Sequence, residues 1–446
     1  MKSYLVVCAL LITAITACKK EHSGGGTDTP TNQLLDSSLL LARDYYLWNK
    51  QIPSSFSTSS YADPNEVMEG IRQYSMESGF SAPVDRWSFG SLKTEWDQVS
   101  SGVAGDIGIG IFFRTISDLR VTNVEPASAA GKAGVQRAWR ITKINGNSQI
   151  DTSSASITRI VNAVFGSSPV SLSFTKPDGS TADMTLTPGS YTEQPIALDT
   201  VYNAGSKTIG YFVLNSFLGD VNNMKAAFAN SFQDFTNAGV TDMIVDLRYN
   251  GGGYVALQEE LANYLVPAAR NGSVMYMETF NDDLAQYNDT VSFSKKSSLA
   301  LNSIVFILSQ NTASASEALI NIMRAAMTDV KLVGPSNSHG KPVGFFNIPV
   351  GDWYVFPVSI RIVNANNEGN YFNGFAPDKS VADGLDKQWG DLDEDCLAMA
   401  YKYLTTGSFR SSLRQQENAS DENIRAYNSM RSPKPSIMVE QKIPGR

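Results

Sequence analysis

Four runs between residues 206 and 405, "KTIGYFVLNSF", "DMIVDL", "SIVFIL" and "VKLVG", are dense in apolar residues over the length of a strand. The middle two are nearly continuous, the pattern of strands buried on both faces of a parallel sheet. Between the runs, apolar residues recur at helical spacing over 222–238, 254–266 and 315–327. The last is the clearest, with Ala315, Ala318, Leu319, Ile322, Met323 and Ala326 on one face. Strands alternating with helices predict a layered α/β domain over residues 198–406, closed by a helix in "DLDEDCLAMAYKYL". Residues 407–446 are polar, Pro-containing and weakly periodic, which predicts an extended or disordered tail.

Upstream the period changes. Residues 34–50 place Leu35, Leu39 and Tyr46 at near-helical spacing, and Asp63 before Pro64 has the form of an N-cap followed by Pro at the first helical position. These predict a small helical N-terminal region over 34–100. From Gly105 the chain turns to short alternating runs, "GIGIFF", "LRVTNV", "RITKING" and "VSLSFTKPDGSTADMTLTP", with room for helices at "SAAGKAG" and "SSASITRIVNAVFG". That is a compact β-rich module over 103–192, joined to the α/β domain by a linker near "YTEQPIALDT".

Composition narrows the chemistry. The 446 residues, 42% hydrophobic and 18% charged, carry a net charge of −8 with no basic cluster, which excludes a nucleic-acid surface. The whole chain has two histidines, His22 and His339, so a multi-His metal or catalytic centre is excluded, and no organic cofactor is implied. The first residues, "MKSYLVVCALLITAITACKK", have the form of a signal peptide over 1–17 and are too short to span a bilayer. Ile15-Thr16-Ala17-Cys18 resembles a bacterial lipobox, which implies lipidation of Cys18, a flexible tether over 18–33 and a membrane-anchored place in the bacterial cell envelope, with the outer membrane favoured. With Cys8 lost in the signal and Cys18 acylated, Cys396 alone remains, and no disulfide framework is possible.

Three segments carry chemistry. In "QNTASASEALI", Thr312, Ser314 and Ser316 stand at alternate positions where a buried strand passes into a helix. Ser314 with Glu317 three residues on has the form of a capping box; the same corner also exposes a hydroxyl beside the N–H groups of a helix N-terminus, where an oxyanion is stabilised. "MIVDLRYNGGGYV" runs a buried strand into Asn250-Gly251-Gly252-Gly253, at the carboxyl end of a sheet strand, where ligands gather. "VKLVGPSNSHGKPVG" ends a third strand in a loop carrying Lys341.

In this order the segments resemble the C-terminal processing (tail-specific) serine peptidases: "TASASEALI" matches the nucleophile motif, "VDLRYNGGG" the oxyanion loop, "GPSNSHGKPVG" the lysine motif and "YFNGFAPDKSVADG" the closing segment. The β-rich module resembles a PDZ domain, with Gly108-Ile109-Gly110-Ile111 at the carboxylate-binding loop and "VEPASAAGKAGVQRAWRITKINGN" as the central signature; Ala138 and Trp139 stand where a Gly-Asp pair is common. The resemblance implies a crotonase-like catalytic domain with an inserted PDZ module that binds extended or C-terminal peptide segments by adding a strand to a sheet edge.

Carried over by motif, the nucleophile falls on Ser314 and the general base on Lys341, 27 residues later. The oxyanion donors fall on Gly252, with Gly251 close behind, and on the N–H of Ala315 or Ser314. Some family members place a glutamine four residues after the lysine; here that position is Phe345. The implied reaction is attack of Ser314 on a peptide carbonyl while Lys341 takes the proton and returns one to the leaving amine. His339 is the rival base, two residues from Lys341. The other reading is a catalytically silent, peptide-binding scaffold lipoprotein. In either, the partners are proteins or peptides.

Overall fold

The structure, a computed structural model, describes residues 30–410 and 437–444. The predicted signal peptide, most of the tether and Cys18 lie outside the described residues.

The α/β segment is built on two six-stranded sheets. In the first the strand order is Lys379–Ser380, Val330–Gly334, Ser303–Ile307, Asp242–Asp246, Lys207–Leu214, Ile196–Ala204. All neighbours are parallel except the last pair. Period-two alternation sends the two faces of these strands into different cores. Ile209, Tyr211, Val213, Ile244, Val305, Ile307 and Val333 pack with Cys396, Leu397, Ala400 and Leu404 of the helix Asp395–Thr406. Phe212, Leu214, Met243, Val245, Ile304 and Phe306 join the larger core, which includes the helices Val221–Asn237, Val255–Leu265 and Ala315–Ala326. A sheet covered on both faces explains why Asp242–Asp246 and Ser303–Ile307 read as nearly continuous apolar runs.

The second sheet, in the order Gly252–Tyr254, Ile437–Glu440, Val343–Phe346, Val358–Asn364, Val274–Thr279, Asp289–Ser292, is mixed. Here the reading of 407–446 as an extended or disordered tail is corrected near its end, where Ile437–Glu440 is a strand with Met438 and Val439 buried; residues 411–436 lie outside the described residues. Four apolar-rich residues in a polar stretch have no local period long enough to announce a strand, and their partners lie far away in sequence. The linker reading near residues 191–200 is corrected in the same way, because Ile196–Ala204 forms the antiparallel edge of the first sheet.

The N-terminal helices Pro30–Tyr45, Pro64–Ile71 and Lys93–Ser100 do not close a core of their own. Leu35, Tyr46, Val67, Met68, Ile71 and Trp96 belong to the same core as the second sheet, and Phe89–Leu92 pairs with Trp353–Phe356. The Asp63 cap forms, its side chain accepting from Glu66 N, with Pro64 at the first helical position.

Residues 107–186 do have their own core, running from Ile107 to Leu186. A five-stranded antiparallel sheet, Ile109–Thr115, Asp118–Val124, Arg140–Ile144, Val170–Thr175, Thr181–Leu186, packs with the helices Ala129–Lys132 and Ser154–Val164 through Ala130, Ile157, Ile160 and Val164.

Candidate active site

The strand Ser303–Ile307, buried throughout, delivers the chain to a turn at Ser309–Ala313 and then to the helix Ala315–Ala326. The turn is braced by two reciprocal bonds: Thr312 N donates to Ser309 O (2.9 Å) and Ser309 N to Thr312 Oγ1 (2.9 Å). The three hydroxyls then part company. Thr312 Oγ1 donates to Leu247 O at 2.8 Å, and Ser316 Oγ donates to Asn250 O at 3.1 Å. Both are spent on the backbone that leads into the glycine loop. Ser314 Oγ is buried and has no hydrogen-bond partner.

Ser314 also has φ 63° and ψ −116°, a conformation that costs an L-residue on the order of 1–3 kcal/mol and persists where surrounding structure enforces it. Here the enforcing groups are visible. Ala313 N donates to Asn250 O (3.1 Å) on one side, and Ser314 N donates to Glu317 Oε2 (3.0 Å) on the other. Ser314 therefore stands in the capping-box position relative to Glu317, yet its Oγ makes no cap bond. Ser314 N is bonded to the Glu317 carboxylate, while Ser314 Oγ is left without a hydrogen-bond partner.

Glu317 is fully buried, and its carboxylate collects four donors: Ser314 N (3.0 Å) and Lys341 N (2.8 Å) on Oε2, Ser338 Oγ (2.5 Å) and Gly340 N (2.7 Å) on Oε1. Burial pushes its carboxyl up from the ordinary range, while the bonds from Ser338, Lys341, Gly340 and Ser314 pull the other way. The sequence marked Glu317 as a cap; its reach into the lysine loop comes from tertiary packing.

Lys341 is fully buried, with Nζ 3.6 Å from the centroid of the Phe345 ring. The position that departs from the glutamine of some relatives thus lies directly against the amine. His339 is turned elsewhere: its N donates to Thr312 O (2.9 Å), and its Nε2 accepts from the Trp87 indole N–H at 3.1 Å. Gly340 takes φ 86°, and a Cβ there would lie 2.3 Å from Phe372 O, so the turn between the histidine and the lysine requires glycine.

The glycine loop needs one correction. Gly252 N donates to Asn250 Oδ1 at 2.9 Å, and Gly252 O accepts from Phe217 N, so the amide placed first in the oxyanion set is already committed. Asn250, fully buried, also donates Nδ2 to Leu214 O at 3.0 Å. Ser314 N is committed as well, to Glu317. Among the described residues no acceptor is bonded to the amides of Gly251 and Ala315, which leaves these two of the predicted donors available.

Behind the loop lies a buried charge cluster that sequence reading missed. Arg248, fully buried, contacts Asp246, Asp383 and Glu394 through bonds of 2.7–3.1 Å. Burial pushes the Glu394 carboxyl up, but the Arg248 guanidinium outweighs it and holds Glu394 at about 2. Arg137, from the β-rich module, enters the same cluster through Asp383 (3.2 Å) and the Tyr249 hydroxyl (3.0 Å), with its guanidinium 3.9 Å above the Trp389 ring. Arg248 and Tyr249 sit inside the glycine-loop motif, the one signal that could have pointed to the cluster.

Residues 208–381 match the family model "Peptidase family S41", and residues 39–89 match "Peptidase S41 N-terminal domain". Together these span about half of the chain and include Ser314, Lys341 and the glycine loop. The chain belongs to peptidase family S41.

Relatives of this S41 chain include the "Carboxy-terminal processing protease CtpB" of Bacillus subtilis, 23% identical over 299 residues that make up 65% of this chain and 57% of that protein. A "Probable CtpA-like serine protease" of Staphylococcus haemolyticus is 25% identical over 251 residues, 54% of this chain and 46% of that protein. The chain spans about half the length of these relatives. The crystal structure of a candidate S41 protease from Bacteroides fragilis has the same mixed α/β fold, with a TM-score of 0.69 at 20% identity over 83% of this chain and 97% of that one.

Proposed function

We propose that the chain is a serine endopeptidase of the bacterial cell envelope in which Ser314 is the nucleophile and Lys341 the general base. One observation carries the assignment. Of three neighbouring hydroxyls, two are bonded to backbone carbonyls, and the third, Ser314 Oγ, is held buried without a partner on a strained backbone. Strain maintained by its surroundings at a strand-to-helix corner is the geometry of a nucleophile elbow.

In the reaction, Ser314 Oγ attacks the carbonyl carbon of the scissile bond as Lys341 Nζ takes its proton. The tetrahedral oxyanion is held by Gly251 N–H and Ala315 N–H, the latter at the positive end of a helix. The intermediate collapses, Lys341 returns a proton to the leaving amine, and water repeats the sequence on the acyl-enzyme. Lys341 must be uncharged to accept the proton. A free lysine, with pKa ~10.4, is charged at neutral pH, so the reaction requires the site to desolvate the amine; Lys341 is fully buried. His339 is the weaker base candidate, because its Nε2 is engaged by Trp87.

The module over 103–192 is assigned as a PDZ domain of the peptide-binding kind. Ile109–Thr115 is the edge of its sheet, which suits addition of an extended peptide. Gly108, at φ 79°, makes the turn into that strand, and its own N–H is spent on Asp106 Oδ1 at 2.7 Å. Ile109, Gly110 and Ile111 are therefore the residues left to contact a peptide. Cys18 is assigned as the lipidated residue that ties the chain to a membrane, the outer membrane by preference; absence of a lipid mass increment on the mature N-terminal peptide would refute this.

Incubation with an unfolded protein substrate tests the activity. The wild-type chain is expected to cleave it, while Ser314→Ala and Lys341→Ala do not, each variant keeping a native circular dichroism spectrum. Turnover persisting in either purified variant would end the dyad assignment. A His339→Ala variant is expected to retain turnover, and its complete loss would transfer the base role to His339.

A further inference from the structure

A strand from the far end of the chain lies between the two loops assigned to the reaction. Ile437–Glu440 pairs in parallel with Gly252–Tyr254 on one side, with Gly252 opposite Ile437, Gly253 opposite Met438 and Tyr254 opposite Val439. On the other side it pairs in parallel with Val343–Phe346, with Phe345 opposite Val439 and Phe346 opposite Glu440. Gly252 directly follows Gly251, and Val343 comes two residues after Lys341. Met438 and Val439 are buried. The strand is anchored further along, where Ile443 packs on the main core and Tyr45 Oη donates to Pro444 O at 3.3 Å.

Neighbouring strands lie about 4.8 Å apart, so one interposed strand sets its flanking partners about 9.6 Å apart. The strands that continue from Gly251 and Lys341 are held at that separation by Ile437–Glu440, and the sheet order gives them no direct pairing. Without the strand they would close toward direct pairing or splay. Either movement is several ångströms, against the roughly 1 Å misplacement that can cost about 100-fold in rate. The fit is close: a Cβ on Gly344 would lie 3.0 Å from Met438 O and 3.2 Å from its Sδ.

We propose that Ile437–Glu440 is a positioning strand for catalysis, which holds the strands leading from the oxyanion loop and the lysine loop apart by one interposed strand and makes this distal segment necessary for turnover. This rests on the assignment of Gly251 and Lys341 to the reaction.

The test compares the full chain with a chain ended after Ser436, with and without a synthetic peptide of residues 437–446. The shortened chain is expected to keep a native circular dichroism spectrum, to lose on the order of 100-fold in kcat with little change in KM, and to recover kcat as the peptide is added. Hydrogen exchange supplies a readout independent of activity: the amides of 251–254 and 343–346 exchange faster in the shortened chain and are protected again by the peptide. Full-length Gly344→Ala, which presses on the strand without removing it, is expected to lower kcat several-fold at unchanged KM. A folded shortened chain with wild-type kcat, or with unchanged exchange at both segments, would overturn the proposal. Should the shortened chain fail to fold, wild-type kcat in Gly344→Ala would overturn it. An inactive full chain would refute the peptidase reading, and exchange would still decide whether the strand orders the two loops.

Discussion

Ser314 and Lys341 both donate their backbone N–H to the same atom, Oε2 of Glu317, at 3.0 and 2.8 Å. One buried carboxylate therefore sets the relative position of two residues 27 apart in sequence, and these two bonds run through the main chain rather than the side chains.

Glu317→Gln tests that arrangement with little change of shape. The amide keeps one acceptor oxygen and turns an NH2 toward donors that the carboxylate had satisfied. Leaving buried N–H groups without acceptors costs about 1–3 kcal/mol each. The expected result is a destabilisation of about 2–5 kcal/mol in urea unfolding, and a loss of kcat larger than any rise in KM. Full activity with unchanged stability would show that the shared oxygen is incidental.

Ser314→Gly separates stability from activity. Glycine adopts φ 63°, ψ −116° without the penalty carried by an L-residue. The variant is expected to be inactive and more stable than Ser314→Ala, by about 1–3 kcal/mol. A less stable glycine variant would show that the serine backbone is not strained.

Arg137→Met removes one cation from the buried cluster and leaves Asp383 dependent on Arg248 and the Tyr249 hydroxyl. Breaking a buried ion pair from one side costs about 3–5 kcal/mol. The shift in the urea midpoint is expected to be of that size and insensitive to salt, as the group is screened from solvent.

The C-terminal strand brings a pH dependence. Glu278, buried with Oε1 unpartnered, is pushed up to about 8 by burial first and then by Glu440, Glu259 and Asp289. Glu440 and Glu259 are also raised by burial, with Lys442 and Lys225 acting against this. The folded chain keeps a proton that the unfolded chain releases near the ordinary value of 4.5. Its contribution to stability is complete below about 4.5, declines as pH rises and is gone above about 8. The melting temperature is therefore expected to fall between about pH 4.5 and 8, and Glu278→Gln to flatten the fall. Parallel curves for the two proteins would exclude Glu278 as the source.

Much of this was legible because burial on both faces leaves a plain mark. Asp242–Asp246 and Ser303–Ile307 are nearly continuous apolar runs, Val330–Gly334 is interrupted only by Lys331, and the loops that follow the three carry the glycines, Ser314 and Lys341. Ile196–Ala204 was missed because an edge strand with no fully buried position shows no such run. Ile437–Glu440 was missed because four residues are too few for a period, and what makes them a strand is two partners distant in sequence. Gly252 was chosen over Gly251 because three consecutive glycines look alike until Asn250 Oδ1 is seen to cap the middle one. Which of three alternate hydroxyls is left uncommitted likewise depends on Leu247 O and Asn250 O, two carbonyls no local pattern could place.

The most direct measurement is covalent labelling with a fluorophosphonate probe, followed by peptide mapping. The predicted result is a single adduct on Ser314 in the wild-type chain, none in Ser314→Ala, and much slower labelling in folded Lys341→Ala. An adduct on Thr312 or Ser316, or labelling at the wild-type rate without Lys341, would contradict the account.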